Sequence, residues 1–147
     1  MKIRYATGAL AIATIAAVTL TGCATNVRSL PLGTALAQPT GGDSVQLYFG
    51  SQSHPAVKTQ LGEVSASARL ARKTDGEKES CDATLADALA HLRGDARSRH
   101  GNAVINIRTS FHSTETAAPD TFTCGVSGSA AALHVRGDVV VLDNGQQ

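Results

Sequence analysis

Three cysteines, Cys23, Cys81 and Cys124, carry the most versatile chemistry in this chain. A thiol can be acylated, can pair as a disulfide, or as the thiolate can hold a metal. Metal binding fits poorly, because no cysteine belongs to a Cys-x-x-Cys and none has a histidine at ligand spacing. The histidines His54, His91, His100, His112 and His134 are scattered. On a helix, His91 and His100 would sit about half a turn out of phase, so they are not a chelating pair. Asp87 and His91 stand one helical turn apart, the spacing of an acid–base dyad. It is equally the spacing of a pair that steadies a helix by a few tenths of a kcal/mol, and nothing supplies a nucleophile or pocket for a dyad to serve. The Gly-x-x-x-x-Gly-Lys-Ser/Thr phosphate loop and the Gly-x-Ser-x-Gly elbow do not occur. Thr109, Ser110, Ser113, Thr114 and Thr116 read as a loop, and Arg136-Gly137-Asp138 as a tight turn. The expectation is a non-enzymatic chain with no catalytic residue, cofactor or metal site.

Cys23 differs from the other cysteines in what precedes it. Lys2 and Arg4 are followed by a charge-free run from Ala6 to Leu20, dominated by Ala, Ile, Leu and Val, and then by Leu20-Thr21-Gly22-Cys23. Basic, apolar and small residues in that order form the layout of a secretory signal. The apolar run falls short of the roughly 20 residues that a membrane-spanning helix needs. Leu20-Thr21-Gly22-Cys23 resembles the lipobox of bacterial lipoproteins. That resemblance implies diacylglyceryl transfer to Cys23, cleavage after Gly22, and acylation of the new amino terminus. Each buried methylene contributes about 0.8 kcal/mol, so two or more chains give stable anchoring. Ala24, where an aspartate would favour the inner membrane, implies the outer membrane with the domain in the periplasm.

Export would place the remaining pair, Cys81 and Cys124, in an oxidising compartment, where matched cysteines read as a disulfide. Closing that loop would stabilise the fold by roughly 4 kcal/mol in the chain-entropy model; two free thiols are the alternative. Setting aside Lys2 and Arg4 from the 13 Lys and Arg leaves 11, against 12 Asp and Glu. With no block of like charges, the chain carries no nucleic-acid footprint. Aromatics are 3% of the chain and Trp is missing, so a core must come from Ala, Val, Leu and Ile. One domain of about 100 residues fits this length, small enough to gain from a covalent staple.

Periodicity supplies the elements that would position the pair. Residues 1–22 read as the signal peptide. Residues 23–43, with Pro31, Gly33, Pro39, Gly41 and Gly42 and no clean period, read as a lipidated tether. The domain would span 44–142, with a flexible tail over 143–147. Val45, Leu47 and Phe49 alternate as a short strand, and residues 50–60 are turn-rich. Val64, Ala66, Ala68 and Leu70 predict a strand over 64–72, and Lys73 to Ser80 an exposed loop. Leu85, Leu89, Leu92 and Ala96 form the stripe of an amphipathic helix over 82–100. Asp82 would cap its start, Gly101 would supply a left-handed stop, and Gly94 would mark close packing. Arg97, Arg99 and His100 would complement the helix dipole, and Asp95 and Arg99 stand one turn apart on it. Ala103, Ile105, Ile107 and Thr109 would share one face of the next strand, with Phe111 continuing it. Phe122, Cys124 and Val126 follow on another, with Gly125 and Gly128 marking a bulge or turn. Ala131 to Val135 and Val139 to Leu142 complete the set. The class is α+β: a small four- to five-stranded sheet, one amphipathic helix packed on a face, and one disulfide. The helix between strands allows a parallel crossover.

The order of segments from Cys81 to Val135 resembles the YbjQ-like and RcsF superfamily, and most closely the RcsF outer-membrane lipoproteins. The matching residues are Cys81 opening a helix that reads Leu85-Ala86-Asp87-Ala88-Leu89-Ala90-His91-Leu92-Arg93, then Gly101-Asn102-Ala103-Val104, then Phe122 and Cys124 before Gly128-Ser129-Ala130. In that family a cysteine at the helix start is bridged to one just before the Gly-Ser/Thr-Ala strand, the places held here by Cys81 and Cys124. The resemblance implies a non-catalytic envelope module that senses stress by contacting a signalling protein or an outer-membrane barrel protein. The chain departs from it by lacking a second disulfide and a long basic tether. A structural outer-membrane lipoprotein is the second reading; a ligand carrier or an enzyme with a hidden site is the third. From the lipobox, Cys23→Ala is expected to abolish acylation and membrane fractionation, and normal lipid labelling of that variant would refute the anchor.

Overall fold

A computed structural model describes residues 24–33, 45–73 and 76–143. The elements are β1 (Asn26–Pro31), β2 (Gln46–Phe49), β3 (Val57–Ala71), α1 (Glu77–Ser98), β4 (Ala103–Phe111), β5 (Thr114–Thr116), β6 (Thr121–Val126) and β7 (Ala130–Leu142). The signal segment 1–22, Cys23, residues 34–43 of the expected tether, Ser44, Thr74 and Asp75 of the expected domain, and the tail beyond Asp143 lie outside the described residues.

The β-branched and aliphatic run of β7 makes it the strand on which the others assemble. One edge pairs antiparallel with β3 from Leu142↔Val57 to Ala130↔Ala71. The other edge is shared: β4 pairs along Val140 to His134, and β6 takes Ala132 and Ala131. Beyond β4 lies β2, in parallel; beyond β6 lies β1, antiparallel. Helix α1 covers one face, burying Cys81, Leu85, Ala88, Leu89, Leu92 and Ala96 against Val64, Ala68, Leu133, Val135 and Val139. A smaller cluster of Ala103, Ile105, Val140 and Leu142 packs on Tyr48 and Val57. The class is therefore α+β with one helix among the described residues and a mixed sheet. The helix links β3 to β4, which run in the same direction but have β7 between them.

The sheet has seven strands, not four or five. One added strand is β1, Asn26–Pro31, inside the expected tether. Its side chains are exposed except Leu30, so no apolar period marks it; backbone pairing with β6 holds it in place. Another is β5, which turns the expected Thr/Ser loop into a hairpin with β4 through His112 and Ser113. Strand β3 starts at Val57, not Val64, and a register shift between Gln60 and Glu63, at Gly62 with φ +95°, breaks the period that would have marked its first residues.

A second shift, between Ile105 and Arg108, rearranges β4. Asn106 adopts φ +53°, a left-handed conformation that Asn tolerates better than most residues. Val104 and Ile107 consequently join the helix-side core, whereas Ala103 and Ile105 face the smaller cluster. The expected single face of Ala103, Ile105, Ile107 and Thr109 is thus divided. Arg136-Gly137-Asp138 is no turn: it is strand interior opposite this bulge, where a Cβ on Gly137 would come within 2.6 Å of Val104 Cγ1. Gly125 also lies within a strand, and the turn falls at Ser127–Ser129, closed by Ser127 N–H donating to Ala130 O at 2.9 Å.

Both helix ends differ from expectation. The helix begins at Glu77, and Asp82 pairs with Lys78 instead of capping. Charged residues at 77–79 hide this first turn among loop-like neighbours, although acidic side chains suit a helix start. At the other end His100, not Gly101, takes the left-handed position (φ +61°). His100 N–H donates to Arg97 O and Gly101 N–H to Ala96 O, a Schellman closure. Gly101 serves close approach: a Cβ there would lie 2.5 Å from Val139 Cγ1. Arg99 does not turn back to Asp95; its Nη1 donates to Glu63 O at 3.0 Å, tying the helix end to β3.

Cys81 and Cys124 form a disulfide with Cα atoms 6.0 Å apart and both residues fully buried. It joins the second turn of α1 to β6, the strand that diverges from β7 after two paired residues. Cys81→Ala with Cys124→Ala should lower unfolding free energy by roughly 3–4 kcal/mol, measured by denaturant titration; unchanged stability would mean the bond constrains nothing. Gly94 does not pack closely, since a Cβ there would meet nothing within 4 Å. Gly94→Ala should therefore stabilise the helix by up to about 1 kcal/mol, and a loss of stability in the same titration would contradict the open surroundings.

Candidate functional site

Sequence reading singles out Cys23, Cys81 and Cys124. Cys23 lies outside the described residues, and the other two are consumed in the buried bond. Asp87 and His91 meet at 4.0 Å on the outer surface of α1, both well exposed. A carboxylate and an imidazole so open to water make a helix-surface pair worth a few tenths of a kcal/mol. Among the described residues no three His, Cys, Asp or Glu side chains gather where they could hold a metal. No helix among them is long and apolar enough to cross a membrane.

The polar side chains that do converge lie on the sheet face away from α1. In β7, Leu133 and Val135 enter the core, so the alternating His134 and Arg136 point the other way. Register sets the rows: Ser67, His134 and Ser110 stand side by side across β3, β7 and β4, and Ser65, Arg136 and Arg108 form the next row. With Arg69, Phe111 and His112, the first row lines an open concavity of about 520 Å3. Ser67 Oγ and His134 Nδ1 share a hydrogen bond of 2.9 Å. His112 sits in the β4–β5 turn at φ +51°, its ring edge-on to Phe111 at 4.2 Å. Phe111 lies over Gly125, where a Cβ would come within 2.5 Å of the ring, so glycine is what admits the aromatic there.

Two arginines beside this concavity face carboxylates, and a carboxylate there accepts from an amide. Arg136 Nη2 donates to Glu115 Oε2 at 2.8 Å, Arg108 lies 3.7 Å from Glu63, and Asn106 Nδ2 donates to Asp138 Oδ2 at 3.0 Å. Behind them, buried Thr109 accepts from Thr123 N–H at 2.8 Å, and Thr123 shares a hydrogen bond with Thr116, which pins the hairpin to β6. A Ser–His contact has the first two parts of a nucleophile–base pair, but hydrolysis of that kind also needs a group orienting the imidazole and an oxyanion site. Among the described residues no carboxylate bonds His134, and the concavity is open to solvent. What the surface offers is a row of hydroxyls, imidazoles and balanced ion pairs around one aromatic ring, chemistry suited to hydrogen-bonded contact with another macromolecule. Ser67 and His134 are far apart in sequence, and only the β3–β7 register brings them together; no local signal marks them.

No protein-family model matches the chain, and neither does any curated protein. Among solved structures, it is similar to a crystal structure of a protein of unknown function assigned to the DUF74 family, from Pediococcus pentosaceus ATCC 25745. The two share 15% identity over 67% of this chain and 96% of that one, with a TM-score of 0.43. Likeness at this level carries neither family membership nor activity across.

Proposed function

We propose that this chain is a lipid-anchored envelope protein, acylated at Cys23, whose α+β domain is a non-catalytic binding or stress-sensing module of the RcsF type. The buried Cys81–Cys124 disulfide is the observation that carries the reading. Such bonds form and persist in exported proteins and are rare in the reducing cytosol, so the bond agrees with a leader ending at Leu20-Thr21-Gly22-Cys23. The sheet's open face supports binding over catalysis, because its polar groups converge by strand register without an enclosed cavity or an oriented base. The partner proposed is an envelope signalling protein or an outer-membrane barrel protein, with the domain in the periplasm.

Photo-crosslinking groups placed at exposed His112, beside the concavity, and at exposed Ala90, on the helix, test this in the intact envelope. One defined protein adduct is expected from at least one position. Adducts confined to lipid or peptidoglycan at both would sink the binding reading and favour a structural lipoprotein.

A further inference from the structure

Strand β1 begins three residues after Cys23, with only Ala24 and Thr25 between them. A fully extended chain advances at most about 3.6 Å per residue, so an acylated Cys23 keeps Asn26 within about 11 Å of the headgroup layer. The strand pairing then fixes what else is near. Asn26 pairs with Val126, and Val126 pairs with Ala131 at the start of β7. Ala130 pairs with Ala71 at the end of β3, and Arg72 N–H donates to Ser129 O at 2.9 Å. The helix begins at this end as well, where Arg28 Nε donates to Glu77 Oε2 at 2.7 Å. The opposite end, with Val57, Ala103 and Leu142, lies the length of β7 away, about 40 Å at roughly 3.3 Å per residue.

Building on the lipid reading of Cys23, we propose that this first end is a membrane-apposed surface: β1 with Val27, the Ser127–Ser129 turn, and the end of β3 with Lys73 just beyond it lie against phospholipid headgroups. Covalent reach is the first support. Exposed apolar surface is the second. Val27 is 44% exposed and is the one large hydrophobic side chain exposed among the described residues, and it stands four positions from the anchor. At the same end Leu70, Ala71 and Ala83 line a mainly apolar groove of about 280 Å3, whose polar rim is Lys73, Glu79 and Ser80. A lysine on such a rim can lay its methylenes on apolar surface while its ammonium stays in the polar layer. Burying Val27 at an interface removes a cost that water imposes on it wherever it stays exposed. The domain therefore rests on the bilayer without a leash.

The chain has no tryptophan, so a single introduced one reports its own surroundings. Full-length acylated protein carrying Val27→Trp, Ser129→Trp or Lys58→Trp is reconstituted into vesicles of phosphatidylethanolamine and phosphatidylglycerol doped with a nitroxide-headgroup lipid. Quenching several-fold stronger for Val27→Trp and Ser129→Trp than for Lys58→Trp is expected. Inserting about 20 Gly/Ser residues between Thr25 and Asn26, a mean reach of about 25 Å, should lower the Val27→Trp quenching. Equal or reversed quenching in protein whose acylation is verified by mass overturns the apposition and leaves the anchor standing. Protein that matures without acyl chains on Cys23 overturns the anchor, and the apposition with it.

Discussion

Strand β7 is the constraint on which the molecule depends: it pairs along both edges and sits between α1 and the open polar face. Its backbone donors and acceptors must all find partners, and three different strands provide them. Because β4 and β6 share one edge, the two must part company where their paired stretches meet. The buried threonines tie the strands together there, and the disulfide ties β6 to the helix above. The covalent bond thus reinforces the place where β6 keeps only two paired residues with the central strand.

What is legible in the sequence is what repeats locally. The stripe of Leu85, Leu89 and Leu92 and the alternation of Val64, Ala66 and Ala68 reveal the helix and a strand, because burial against one face leaves a periodic trace. The α+β class and the pairing of Cys81 with Cys124 are legible too, the latter from cysteine count and the export that the leader-like start implies. Elements held by backbone pairing alone leave no such trace. Strand β1 buries almost nothing, so Val27 and Ser29 read as tether. Bulges erase other signals: Asn106 turns the phase of β4 partway along, and Gly62 makes the first residues of β3 look aperiodic. Gly137 reads as a turn residue because glycine in a turn and glycine beneath a bulge look alike until the neighbour that needs the space is known. The Ser67–His134 contact is a product of register across the sheet, which no window along the chain contains.

Two surfaces of opposite character emerge from the same register. The rows across β3, β7 and β4 carry hydroxyls, imidazoles and paired charges, while the end holding Asn26 and Ser129 carries Val27 and a small apolar groove. In the proposed arrangement the second faces lipid, and the first is displayed for a macromolecular partner. The two surfaces are neighbours, since His134 stands four residues from Ala130, about 13 Å at roughly 3.3 Å per residue; they differ in facing, one lying across the sheet and the other at its end.

The long outer edge of β3 has a different consequence. Among the described residues β3 pairs with β7 alone, so one side of a 15-residue strand presents backbone groups that another chain could extend into a fibril. The Gly62 kink interrupts that template, and the ionic side chains of Lys58, Glu63 and Arg69 stud it with charge. These residues act as gatekeepers against runaway stacking, a hazard that grows when many copies crowd a shared surface.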